Sequence, residues 1–197
     1  MREALRRPVL LALGAAVAGG TLAVALGRRK PEPVVLHPAP PPAVQLRGAE
    51  ALTAVDPPVV PPAIRLVDAD GRAHGLGEFA GKAVVLNLWA TWCQPCIAEL
   101  PSLAALARRG AAEGIVVLPV SSDSGGAAAV QRYYAAHGID GLGVWLDPKG
   151  DAGRALGARG IPTTLIIDRR GRERARLEGS ADWASDAALA AIRRLAG

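Results

Sequence analysis

The chain has 197 residues, 50% of them hydrophobic, with 23 basic and 18 acidic side chains and a net charge of +5. That length suits one compact domain with appendages. The excess charge sits in residues 1–30, which carry six Arg or Lys and one acid; residues 31–197 balance at 17 of each sign, which gives a nucleic-acid surface no support.

In chain order, residues 9–27 form an uncharged run of 19, flanked by Arg6-Arg7 and by Arg28-Arg29-Lys30. A helix needs roughly 20 apolar residues to cross a bilayer core, so an N-terminal transmembrane anchor is expected over 1–30. Ala23-Val24-Ala25 leaves a cleaved signal peptide as the alternative. Charge does not set the orientation, because three basic residues lie on each side.

Residues 31–62 hold ten of the sixteen prolines. Proline lacks an N–H donor and favours extended backbone, so this stretch is expected to be a semi-rigid linker, with a short helix over 45–55. The folded domain is expected over 63–197. Strands are expected at 64–67, 83–89, 115–121, 144–146, 163–167 and 172–178, the last two forming a hairpin. Helices are expected at 97–109, 127–137 and 152–156, with a final one over 183–195 capped by Ser180 or Asp182. The order predicts an α/β fold: a mixed sheet with helices on both faces.

Cys93 and Cys96 are the only cysteines, in Trp92-Cys93-Gln94-Pro95-Cys96. A Cys-x-x-Cys between a strand and a helix can close a disulfide without moving the backbone. It also puts the first sulfur at a helix N-terminus, where free N–H groups and the helix dipole stabilise a thiolate. The thiolate attacks disulfides, so the pair reads as a redox site. Cys93 is the expected attacking thiol, and Cys96, one turn further in, the buried resolving thiol. Gln94 and Pro95 are expected to tune the potential, Pro95 by starting the helix without a wasted donor. Zinc is disfavoured: a lone CxxC is half a structural zinc motif, and His37, His74 and His137 are scattered. Trp92 is expected to shield the sulfurs and touch partners, with Trp89 in the core. The five arginines of 169–176 read as a solvated hairpin.

The order of elements around WCxxC resembles the thioredoxin fold. Asn87-Leu88-Trp89-Ala90-Thr91-Trp92-Cys93-Gln94-Pro95-Cys96-Ile97-Ala98-Glu99-Leu100-Pro101 closely resembles the TlpA/ResA branch of membrane-tethered bacterial thiol–disulfide oxidoreductases. Residues 114–150 resemble that branch's extra strand–helix insertion, and 179–185 resemble its TlpA members. The resemblance implies a cis-proline at Ile161-Pro162-Thr163, packed against the disulfide and binding substrate together with Trp92. It also implies that Glu99 lies by the active site. A partly buried Glu99, three residues beyond Cys96 on one helical face, would accept the Cys96 proton during resolution.

There are departures. Asn87 stands where ordinary thioredoxins carry a titrating Asp, so that function must lie elsewhere. TlpA's second cysteine pair is absent, and Thr163-Thr164 stands where haem-maturation relatives carry Glu-Thr. By resemblance the chain is a reductase at the bacterial inner membrane, its domain facing the periplasm. It would keep cysteines of extracytoplasmic metalloproteins reduced for copper or haem insertion. A membrane thiol–disulfide reductase would supply electrons, and no bound cofactor or metal is needed. A disulfide-introducing oxidase is the competing enzymatic reading. A tethered binding module with an idle CxxC is the non-enzymatic one. A peroxiredoxin is disfavoured because Ala90 holds its Thr position, and a Sco-type copper chaperone because its Cys-x-x-x-Cys spacing is missing.

Overall fold

Strand β4 (Ala83–Trp89) is buried along its whole length, which is why it reads as a continuous apolar run rather than an alternating one. The computed structural model to which it belongs describes residues 47–197. The expected anchor over 1–30 and the first part of the proline-rich stretch lie outside the described residues. Successive β4 side chains point to opposite faces of the sheet. Ala83, Val85 and Trp89 therefore join one apolar core, and Val84, Leu86 and Leu88 the other.

The first core is filled by Leu100, Leu103 and Leu106 of α1 (Gln94–Gly110), Val130 and Tyr134 of α2 (Gly126–His137), and Leu189 and Ile192 of α4 (Asp186–Ala196). The second is covered by Ala152 of α3 (Asp151–Ala155) and by Leu76 and Phe79 of a short 3-10 turn, Leu76–Phe79. Beside β4, β5 (Ile115–Ser121) runs parallel and β7 (Thr163–Ile167) antiparallel. β6 (Trp145–Leu146) then adds parallel to β5, and β8 (Glu173–Glu178) antiparallel to β7. β1 (Thr53–Val59), β2 (Leu66–Asp68) and β3 (Ala73–His74) complete an eight-stranded sheet in the order β1-β8-β7-β4-β5-β6-β2-β3. This is the expected mixed sheet with helices on both faces. Among the described residues no helix is long and apolar enough to cross a membrane.

Three expectations need correction. The sheet begins before residue 63: Thr53 pairs with Arg176, Ala54 with Ala175 and Val59 with Glu173, so β1 lies inside the stretch expected to be linker. Pro57 and Pro58 are tolerated there because β1 is an edge strand and needs no donors on its outer side. The helix expected over 45–55 is only a 3-10 turn at Ala49–Ala51. The final helix starts three residues later than expected, with Ser185 as N-cap; its hydroxyl accepts the Ala188 N–H at 3.2 Å. Residues 180–184 instead form a strap across α1. Arg47 is stitched to that strap: its N–H donates to the Ser180 carbonyl (3.2 Å), and its own carbonyl accepts from the Asp182 N–H (2.8 Å).

Candidate active site

The loop leaving β4 is fixed before the cysteines are reached. The Asp123 carboxylate accepts the Thr91 N–H (2.9 Å), the Thr91 hydroxyl (2.7 Å) and the Ser121 hydroxyl (2.7 Å). Cys93 is the N-cap of α1, and its Sγ accepts the Cys96 N–H at 3.4 Å. The two sulfurs are bonded at 2.03 Å. In the dithiol form the same N–H and the helix dipole favour a Cys93 thiolate. Cys93 is 6% exposed and Cys96 fully buried, the expected order. Gln94 is exposed and Pro95 lies in the first turn of α1.

The peptide bond Ile161–Pro162 is cis. The Ile161 carbonyl oxygen lies 3.8 Å from Cys93 Sγ, so the proline loop and the disulfide meet. Trp92 stands 68% exposed beside them, and Trp89 is in the core. Between Trp92, Ile161 and Gly153 of α3 lies a cavity of about 250 Å³. Thr163 does not face it. Its side chain is buried and its hydroxyl donates to the Gly160 carbonyl at 2.7 Å, so it shapes the proline loop from behind.

Glu99 is fully buried, deeper than expected. Oε1 accepts from Asn87 Nδ2 (2.8 Å); Oε2 accepts from the Ala181 N–H (2.9 Å) and the Trp183 indole N–H (2.9 Å). Burial raises its pKa from 4.5 to about 7; the donations from Ala181, Trp183 and Asn87 pull it back only in part. Asn87 Nδ2 also donates to the Thr164 hydroxyl (2.9 Å), while Asn87 Oδ1 is buried without a partner.

One pH dependence follows from this carboxylate. The folded protein keeps a proton that the unfolded chain releases above pH 4.5. Stability from this group is full below that pH, falls as pH rises, and levels off above about 7; the whole step is about 3 kcal/mol. Denaturant titrations of Glu99→Gln across this range should lack the step. A step of the same size in the variant would assign it elsewhere.

The sequence pointed to Cys93, Cys96, Glu99, Trp92, Gln94, Pro95, Ile161, Pro162 and Thr163; the structure gathers the first eight at one end of the sheet and turns the Thr163 side chain away from the cavity. It missed Trp183 and Ser102. The Ser102 hydroxyl donates to the Glu99 carbonyl at 2.7 Å and accepts the Trp183 N–H at 3.1 Å, bolting the strap to α1. Trp183 sat in a stretch whose likeness to known proteins was visible, but nothing in its spacing tied it to Glu99. Among the described residues no cluster of three or more His, Cys, Asp or Glu is arranged to hold a metal.

Comparison with known proteins fits this geometry. Residues 55–191 match the Redoxin family. The thiol-disulfide oxidoreductase ResA of Geobacillus thermodenitrificans is 30% identical over 115 residues, 58% of this chain and 65% of that one. The thiol:disulfide interchange protein DsbE of Pseudomonas aeruginosa is 33% identical over 126 residues, 64% of this chain and 63% of that one. The match thus spans just under two-thirds of these curated relatives. Among solved structures, a putative DsbE from Chlorobium tepidum superposes with a TM-score of 0.63 at 27% identity, covering 73% of this chain and 99% of that one. The exposed lipoprotein thioredoxin of Streptococcus pneumoniae gives 0.57 at 29%, covering 67% and 98%. The fold is thioredoxin-like.

Proposed function

We propose, since this chain belongs to the Redoxin family, that it is a protein thiol–disulfide oxidoreductase working as a reductase. The observation that carries the reading is the Cys93–Cys96 disulfide at the N-terminus of α1, against the cis Ile161–Pro162 loop. The Cys93 thiolate attacks one sulfur of a substrate disulfide and expels the other as a thiolate, which takes up a proton. Cys96 gives its proton to Glu99 and attacks Cys93 Sγ, which releases the second substrate thiolate; that thiolate takes up a proton from solvent, as the first did, and Glu99 returns the Cys96 proton to solvent. The substrate gains two electrons and two protons, and the enzyme pair becomes the disulfide. Glu99 suits the role because a carboxyl with a pKa of about 7 exchanges protons readily near neutrality. Trp92 and Ile161 border the cavity where the substrate segment next to the attacked cysteine fits.

The substrates are cysteines of extracytoplasmic metalloproteins awaiting copper or haem. The domain is tethered by its N-terminal segment to the inner membrane, faces the periplasm, and draws electrons from a membrane thiol–disulfide reductase. The TlpA/ResA resemblance and the apolar run at 9–27 support this reading. Equilibration of the full chain with glutathione tests the direction of electron flow. A potential near thioredoxin's roughly −270 mV supports a reductant, and one near the roughly −120 mV of a strong oxidant makes the protein a disulfide donor instead.

A further inference from the structure

At the end of the sheet opposite the disulfide lies a second cavity, of about 610 Å³. β4 separates the two: its last residue, Trp89, lines the active-site cavity, and Lys82 and Val84, at its other end, line this one. A seven-residue strand spans about 20 Å. The walls are apolar, built by Ile64, Leu76, Phe79, Val84 and Ile167. Its size falls within the roughly 300–1,000 Å³ of small-molecule sites.

Two features say what the cavity takes. The first is charge. Lys82 and Arg170 stand exposed at the rim, and among the described residues neither has an acidic partner. Of the carboxylates nearby, Asp168, which lines the cavity, is already engaged by Arg172 (2.9 Å) and Arg174 (3.5 Å), and Glu78, between the lining residues Gly77 and Phe79, by His74 (2.8 Å). Arg169 is spent on the main-chain oxygens of Gly81, Glu113 and Gly197. The second is the apolar surface outside the cavity. Val59 is 47% and Val60 75% exposed; with Trp92 they are the exposed large hydrophobics of the described residues. Val60 lines the mouth and Val59 precedes it. A ligand dissolved in water would fill the cavity and leave both valines wet. A bilayer surface covers them as well, while its anionic headgroups meet the two cations.

We propose that this cavity and its rim are a docking site for anionic phospholipid. The headgroup phosphate pairs with Lys82 and Arg170, an acyl chain enters between Ile64 and Phe79, and Val59 and Val60 rest at the interface. Docked this way, the domain turns its disulfide end away from the membrane. The site uses no residue of the redox centre.

The test is amide hydrogen exchange on the full chain in lipid nanodiscs of phosphatidylcholine alone or with phosphatidylglycerol. In the anionic discs, amides of residues 60, 63–64, 76–82 and 168–171 should exchange about tenfold more slowly. That protection should vanish near 1 M salt, where the Debye length is about 3 Å. The double variant Lys82→Glu, Arg170→Glu should lose it, while its Cys93–Cys96 disulfide is reduced at the wild-type rate in the same discs. Equal exchange in the two kinds of disc overturns the proposal, as does protection that survives the double substitution. The reduction rate reports separately on the redox reading.

Discussion

Cys93→Ser should abolish turnover, whereas Cys96→Ser should stop the reaction halfway with substrate covalently attached. The two sulfurs are three residues apart, but their surroundings differ. Cys93 is the N-cap, receives the Cys96 N–H and keeps 6% of its surface in solvent; Cys96 keeps none. A substrate sulfur can reach only Cys93. A serine hydroxyl there is not ionised near neutrality, so turnover should fall at least about a thousandfold. In Cys96→Ser the attack proceeds and the mixed disulfide then has no resolving thiol. Non-reducing electrophoresis and intact mass should show the adduct in Cys96→Ser and none in Cys93→Ser. An adduct through Cys96 in the Cys93→Ser variant would reverse the assigned roles.

Trp183→Ala should be among the most destabilising single substitutions in the domain. The side chain is fully buried in the first core, and its N–H serves Glu99 Oε2. Truncating a buried Trp costs about 3–5 kcal/mol, lowering Tm by roughly 10 °C or more for a domain of this size. Trp183→Phe separates packing from hydrogen bonding. The ring largely fills the space but donates nothing, and a hydrogen bond to a charged acceptor is worth about 1.5–3 kcal/mol. The loss should be larger at pH 8, where Glu99 is ionised, than at pH 5, where it is protonated. With one lowering influence gone, the Glu99 titration should move further above its present value of about 7. Thermal melts at the two pH values, with the pH profile of thiol alkylation, check both claims. Equal losses at pH 5 and pH 8 would mean that the indole serves the core alone.

How far the sequence could be read followed how local the physics was. β4, the CxxC turn and the start of α1 are adjacent in the chain, so one apolar run, one proline and two cysteines specify them together. The edge strand β1 was hidden because Pro57 and Pro58 argue against a strand unless the strand is known to lie at an edge, and β8, its partner, comes more than a hundred residues later. The start of α4 was misplaced because Ser180 and Asp182 are good caps by residue type. Their backbone is committed instead to Arg47, and the side chain of Trp183 to Glu99. The depth of Glu99 had the same origin. Helical spacing put it on the face of Cys96, but its three donors come from β4 and from the strap, which no periodicity connects.

Arg47 gives the domain a mechanical property. Tension on the chain ahead of residue 47 is delivered first to two hydrogen bonds, at Ser180 and at Asp182. The residue between these two attachment points is Ala181, whose N–H grips the Glu99 carboxylate. The load path, at residues 180 and 182, thus interleaves with the donors to Glu99, at residues 181 and 183. A pull strong enough to peel Arg47 away would loosen a donor to the buried acid before it strained any strand of the sheet.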